Sequence, residues 1–304
     1  KQKTAYEIPK RDWSSDVCSS DLPKRRTPEP ARGAPATLLR MTFPAPRIPE
    51  QPKRPTLEGN VAVRDGRRLS FAEYGSRRGP AIVWMHGTPG ARRQIPVDAR
   101  AYAEEVGARI IGVDRPGIGS STPHLYDNVL DWTGDLALLL DALAIDSARV
   151  IGLSGGGPYA LAAGAALPDR VPGVGVLGGV APTRGEDAAD GGIIQLAVHA
   201  APLLAATRVP LGIALTGAIR TVKPLAGPAL DLYAAVQPPG DKNLLGRPEF
   251  KAMFLDDLLN GSRFQTSAPL ADLLLFTRDW GFRLADVKVP VRWWHGDEIG
   301  RAHV

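Results

Sequence analysis

Apolar and polar positions follow two rhythms along this chain, and the change between them divides it. Val61 to Arg64, an Asp65-Gly66 turn signal and Arg67 to Tyr74 predict a hairpin of two extended runs. Ala81 to Met85 predicts a short buried strand, a helical segment lies around Ala99 to Val106, and Ala108 to Asp114 predicts the next strand. Arg115 to Ser121 is too rich in glycine and proline to be other than a loop. Tyr126 to Ala144 carries apolar residues at helical spacing, and Arg149 to Leu153 is a strand. A small-residue helix then runs to about Leu167, and Val171 to Val180 is a further strand candidate. Short strands alternating with helices predict a mostly parallel sheet with helices on both faces. From about Thr183 to Phe276 the alternation gives way to a helical pattern rich in alanine, leucine and proline. Val289 to Trp294 resumes the strand pattern, so the helical block reads as an insertion between two strands of one sheet.

The two ends fit neither rhythm. Lys1 to Leu22 resembles the translation of a short-read sequencing adapter, and Glu298 to Val304 resembles the same read-through in another frame. Both are set aside from fold reasoning, as processing scars are. Cys18 and His303 then fall outside the natural protein, and Met41 is a candidate start. Pro23 to Arg40 becomes upstream sequence or a disordered tail rich in proline and arginine.

With 304 residues and 44% hydrophobic content the chain can bury a full core, and one large domain with an insertion is more natural than two. The charge changes meaning once the ends are set aside. Of the formal +5, residues 24–40 carry +4 through five basic groups and one acid, and the adapter-like ends sum to zero. That leaves +1 for residues 41–297, and no basic stripe with interleaved aromatics points to nucleic acid. No apolar run is long enough to span a bilayer, and the first residues are too polar for a secretory signal, so a cytoplasmic protein without a membrane partner is expected. The single cysteine excludes an internal disulfide framework. No His-x-x-x-His or cysteine cluster supplies metal ligands, so neither a metal nor another cofactor is expected.

The candidate chemistry centres on Val150 to Tyr159, where an apolar strand delivers Ser154 to a run of glycines with a helix directly behind. This is Gly-x-Ser-x-Gly in the context of strand, sharp turn and helix, which exposes and orients a hydroxyl that is otherwise a poor nucleophile. Gly152 and Gly156 flank the serine, where a Cβ would clash with a strained turn. The following helix directs its free amides and positive end at the place where an oxyanion would form. On those five residues alone, a glycine-rich turn between a buried strand and a helix is an equally good reading.

Context adds to it. His86-Gly87-Thr88-Pro89-Gly90 follows one strand, Asp114-Arg-Pro-Gly-Ile-Gly-Ser120 the next, then the Ser154 elbow, then His295-Gly296-Asp297. In that order, and over about Val61 to Asp297, the chain resembles the α/β-hydrolase superfamily, in the group with a helical cap. The resemblance implies an α/β core over residues 57–182, a helical cap over 183–276 and a return to the core over 277–297. Residues 1–56 would be adapter-like and disordered lead-in, and 298–304 an adapter-like tail. It implies Ser154 as nucleophile and the backbone amides of Thr88 and Gly155 as the oxyanion hole. His86 would brace its loop with Gly87 and Gly90, Gly152 and Gly156 would support the elbow, and Asp114 would organise its own loop. Tyr159, Tyr233, Phe250, Phe254 and Phe264 are expected to pack the core or line the pocket. Asp131, Asp135 and Asp141 are expected on the solvated face of a helix.

One part of the family pattern is absent. The acid commonly stands three residues past the glycine of the His-Gly strand end, which here is Ile299 inside the adapter-like tail, and the loop carrying the histidine is missing. Asp297 and Glu298 lie near that place without matching it, and no pattern makes His124, His199 or His295 the base. The truncated chain is therefore expected to lack the acid and histidine, to be inactive, and to expose an apolar sheet edge. The leading expectation is a cofactor-independent serine hydrolase that takes a small-molecule carboxylic ester through an acyl-enzyme on Ser154. The alternatives are a proline-type aminopeptidase, which shares the landmarks, and a non-catalytic ligand-binding protein on the same fold. Epoxide or haloalkane hydrolysis would need a carboxylate where Ser154 stands.

Overall fold

The computed structural model describes residues 53–189, 193–222, 226–237, 239–261 and 267–296. Both adapter-like ends, Cys18, Met41, Phe264, Asp297, Ile299 and His303 lie outside these. Among the described residues the strands are β1 (Leu57–Ala62), β2 (Arg68–Gly75), β3 (Ala81–Met85), β4 (Arg109–Val113), β5 (Ala148–Leu153), β6 (Val174–Leu177) and β7 (Val291–Trp294). They form one seven-stranded sheet in the order β1-β2-β4-β3-β5-β6-β7. β1 and β2 form the hairpin, but its first arm lies earlier than the expected Val61 to Arg64, since β1 ends at Ala62 and Arg64 to Gly66 form a 3-10 turn; β2 also meets β4 antiparallel. All pairings from β4 through β7 are parallel. The hairpin turn uses Asp65 at φ 59° and Gly66 at φ 68°, left-handed positions that an Asp-Gly pair tolerates well.

Helices cover both faces. Val83, Met85, Val113, Val150 and Val176 pack with Leu136, Leu139, Leu140, Tyr159 and Ala163 of α2 (Trp132–Ala142) and α3 (Gly157–Ala166). On the other face, Ala72, Tyr74, Trp84 and Ile110 pack with Ala103 of α1 (Val97–Glu105). β4 is buried at every position, which accounts for its unbroken apolar reading. Between β6 and β7 come α4 (Ile193–Val222), α5 (Ala226–Ala235), α6 (Pro239–Leu245), α7 (Pro248–Gly261) and α8 (Ser267–Phe276). The end of α8 joins the main core through Leu275 and Phe276.

β3 lies between β4 and β5, so the chain leaves it towards one side and returns on the other. Parallel sheets open a crevice beyond the carboxyl ends of the strands at such a point. The segments beginning at His86, Asp114 and Ser154 all start there, directly after β3, β4 and β5.

Three further expectations need correction. The helix read over Tyr126 to Ala144 begins only at Trp132, because Asn128 and Asp131 close a reciprocal capping box around a preceding 3-10 turn. The strand read over Val171 to Val180 shrinks to four residues, with Pro172 and Gly173 before it and Gly178, at φ 55°, after it. Asp135 is not on a solvated face. It is fully buried, takes Arg67 at 2.6 and 3.0 Å, and accepts the Tyr126 hydroxyl at 2.7 Å. Helical spacing located its helix but could not reveal that a cation from β1–β2 reaches its inner face. Asp141 is exposed as expected, and Asp131 is half-buried in the capping box.

Candidate active site

β5 ends at Leu153, and Ser154 stands at φ 50°, in the left-handed region that non-glycine residues seldom adopt. Ser154 to Gly156 form one 3-10 turn, the Gly157 amide donates to the Ser154 carbonyl, and α3 follows at once. The glycines here are a steric requirement. A Cβ on Gly152 would run into the Gly156 carbonyl, and one on Gly156 into the Met85 carbonyl. Ser154 itself is half-buried at the start of α3, whose free amide end is favourable ground for negative charge.

Opposite the elbow lies the loop after β3. A Cβ built on Gly87 would sit 3.5 Å from the Ser154 Cβ, and one on Gly155 would meet the Thr88 hydroxyl. Thr88 and Gly155 therefore face each other beside Ser154. The loop holds itself together through Gln94, which accepts the Gly87 amide at 2.6 Å and donates to the Pro89 carbonyl at 3.2 Å. Gly90 is required because a Cβ there would overlap the Gln94 amide.

The rest of the loop is held by buried carboxylates. Asp114 accepts the Arg92 amide at 2.6 Å and its guanidinium at 2.5 Å. Asp257 of α7 accepts the Ala91 and Arg93 amides at 2.8 and 3.0 Å. Burial pushes the Asp114 carboxyl up to about 6 despite Arg92. Burial, followed by the neighbouring Asp114 charge, pushes Asp257 up to about 7.

A second buried cluster lies under the loop. The Arg115 guanidinium pairs with Asp272 of α8 at 2.6 Å, donates to Gly87 and Thr88 at 2.9 and 2.7 Å, and also reaches the His86 carbonyl. The Thr88 and Tyr159 hydroxyls each donate to Asp272 at 2.9 Å. Arg115 also lies over the Tyr159 ring, 5.0 Å from its centre. Burial, with the Asp272 charge beside it, holds the Tyr159 hydroxyl neutral.

His86 is fully buried. Its Nδ1 donates to the Gly87 carbonyl at 2.7 Å, and its Nε2 accepts the Arg115 amide at 3.3 Å, so one neutral tautomer uses both nitrogens. Burial and the Arg115 charge hold its pKa well below 6.5. His124, His199 and His295 are exposed, and among the described residues no histidine hydrogen-bonds the Ser154 hydroxyl. Of the aromatic residues read as core or pocket lining, Tyr159 is buried and Phe250 and Phe254 are half-buried, whereas Tyr233 is 54% exposed. Tyr233 is therefore corrected to a surface residue: it sits on the outer side of α5.

The residues to which reasoning from sequence gave no role in the site are Gln94, Arg115, Asp257 and Asp272. Asp272 carried a usable signal, since a lone acid inside Ala-Pro-Leu-Ala-Asp-Leu-Leu-Leu-Phe cannot be buried without a partner.

A mainly parallel sheet with a serine on a strand-to-helix elbow above its switch point defines an α/β protein of the serine-elbow type. The family profile of the alpha/beta hydrolase fold matches residues 80–206, and the sheet and its helices have that fold. A proline iminopeptidase of Arabidopsis thaliana is 35% identical over 142 residues, 46% of this chain and 37% of the relative. An epoxide hydrolase of Caballeronia sordidicola is 40% identical over 130 residues, 40% of this chain and 37% of the relative. The matches thus span little more than a third of these curated relatives. An esterase of Rhodococcus sp. ECU1013 superposes with a TM-score of 0.53 at 22% identity, over 80% of this chain and 82% of that structure, a likeness of fold. No described helix is long and apolar enough to cross a membrane, and no group of three or more described His, Cys, Asp or Glu side chains could hold a metal ion.

Proposed function

We propose that the protein is a serine hydrolase that takes small-molecule carboxylic esters through an acyl-enzyme on Ser154. The observation that carries this reading is Ser154 at φ 50° with Thr88 and Gly155 facing each other beside it. The Ser154 oxygen attacks the ester carbonyl carbon, and its proton passes to a general base. The carbonyl electron pair moves onto oxygen, where the Thr88 and Gly155 amides receive it. Collapse re-forms the carbonyl and breaks the bond to the alcohol, which departs with the proton; water then repeats the sequence to release the acid. The acid and histidine of such a site are expected beyond His295-Gly296, outside the described residues. The helices from α4 to α8 act as the cap, and the reading has the protein in the cytoplasm without nucleic acid or membrane as partner.

Incubation with a reactive fluorophosphonate tests this by intact mass. One phosphonyl group is expected, slowly added and mapped to the peptide holding Ser154, and absent in Ser154→Ala. No adduct after prolonged incubation, or an adduct that survives the substitution, would sink the proposal in favour of a ligand-binding protein.

The second reading is a proline-type aminopeptidase, favoured by the relative of that name in Arabidopsis thaliana. Such a substrate needs a free carboxylate for its amine. The three buried carboxylates that hold the loop are already engaged, Asp272 by Arg115, Thr88 and Tyr159, Asp257 by two backbone amides, and Asp114 by Arg92. The ester reading therefore stands first. Epoxide hydrolysis, the activity in the name of the Caballeronia sordidicola relative, is disfavoured by serine at the elbow.

A further inference from the structure

We infer that the inserted helices set the geometry of the oxyanion loop, with Asp257 of α7 and Asp272 of α8 acting as positioning residues for the Thr88 amide opposite Ser154. The inference rests on the serine-hydrolase reading for its chemical meaning and on the loop contacts for its structural content.

The loop between β3 and α1 has little regular hydrogen bonding of its own. The Ala91 and Arg93 amides end on the two oxygens of one carboxylate, Asp257, which is 1% exposed. The Thr88 end is fixed by its hydroxyl, which accepts from Arg115 at 2.7 Å and donates to Asp272 at 2.9 Å. Asp272 takes the Tyr159 hydroxyl on its other oxygen. One carboxylate thus touches the oxyanion loop, the loop after β4 through Arg115, and the helix that begins at the elbow. Neither acid is needed merely to attach the insert to the sheet, because Leu275 and Phe276 already enter the core.

What singles out these two acids is where their oxygens end. A tie that served stability alone could terminate on any core group. These terminate on the amides and hydroxyl of the segment that faces Ser154, so movement of α7 or α8 relative to the sheet is passed to Thr88. An oxyanion amide acts only when held in place, since the charge it receives develops in the transition state.

The test uses the 304-residue chain, its Asp257→Asn and Asp272→Asn variants, and Asp241→Asn on α6 as an exposed control. Hydrogen exchange over residues 87–95 reads the loop directly. Phenylboronic acid, which forms a tetrahedral adduct on a serine oxygen, reads the hole; benzamide, which forms none, reads the pocket. Both variants are expected to speed exchange in the loop at least tenfold. They are also expected to weaken the boronate at least tenfold while changing benzamide less than twofold, with the control unchanged. A purely structural role would leave the boronate-to-benzamide ratio where it was. Thr88→Val, which keeps the amide and removes the hydroxyl, should reproduce the Asp272→Asn ratio and serves if Asp272→Asn does not fold. If the wild type binds boronate no better than Ser154→Ala, the hydrolase reading fails, and the exchange arm still decides the positioning. Unchanged exchange in both variants, or an unchanged ratio beside a wild type that binds boronate, overturns the inference.

Discussion

The two walls of the Ser154 crevice are built by different means. The elbow wall is a backbone construction: β5, two glycines that admit carbonyls at contact distance, and a helix that starts within three residues of the serine. The Thr88 wall is a side-chain construction, a loop held by Gln94, Asp114, Arg115, Asp257 and Asp272. The first wall is specified within ten residues of sequence. The second is assembled from acceptors up to 184 positions away. Local sterics tolerate almost no substitution, whereas a network of buried polar groups can be weakened by degrees.

The sharpest way to test that contrast is on the elbow. Gly156→Ala places a methyl against the Met85 carbonyl, and no neighbour there is a flexible side-chain end. It is expected to cost roughly 4 kcal/mol or more, in the class of severe backbone and overpacking defects, and to leave little soluble protein. Near-native urea unfolding of this variant would refute the steric account.

Next in size is a polar tie remote from the crevice. Asp135→Ala removes the acceptor of Arg67 and Tyr126 in the buried interior and is expected to cost about 3–5 kcal/mol. Asp141→Ala, on the same helix, breaks an exposed pair with Arg170 and is expected to stay within about 1 kcal/mol. Equal effects on chemical denaturation would contradict the burial assigned to Asp135.

The smallest effect concerns Asp257. Its carboxyl rises from 3.8 to about 7, so the folded protein keeps a proton that the unfolded chain has released. Its contribution is complete below the unfolded value and is lost as pH rises through about 7. The melting temperature of wild type minus that of Asp257→Asn should therefore fall from pH 5 to pH 8, by several degrees on the scale of roughly 2–4 °C per kcal/mol. Buried His86 works in the opposite direction below its ordinary value, but equally in both proteins, so the difference removes it. A flat difference across that range would show that Asp257 is charged throughout.

The same contrast explains what the sequence disclosed. β3, β4 and β5 fall within about one residue of their expected limits, because each is an apolar run stopped by glycine or proline, or by the elbow itself. Ser154, Thr88 and Gly155 were placed by motif, and the structure brings them together. The partners of Asp257 and Asp272 were not legible for a plain physical reason. An acid at a helical position is written the same way whether it faces water or a guanidinium 157 residues away. Asp135 misled for that reason too, and Asn128 shortened its helix through a cap that apolar spacing does not register.

The sequence distance between the Ala91 amide and the Asp257 carboxylate also sets an order of events during synthesis. At about 5–20 residues per second, a ribosome needs on the order of ten to thirty seconds to make the 166 positions between them. The elbow can close as soon as α3 has emerged. The loop facing it must wait, its amides open to solvent, for an acceptor not yet made. One wall of the crevice draws only on chain made by the end of α3, and the other cannot be completed before α7 and α8 are made.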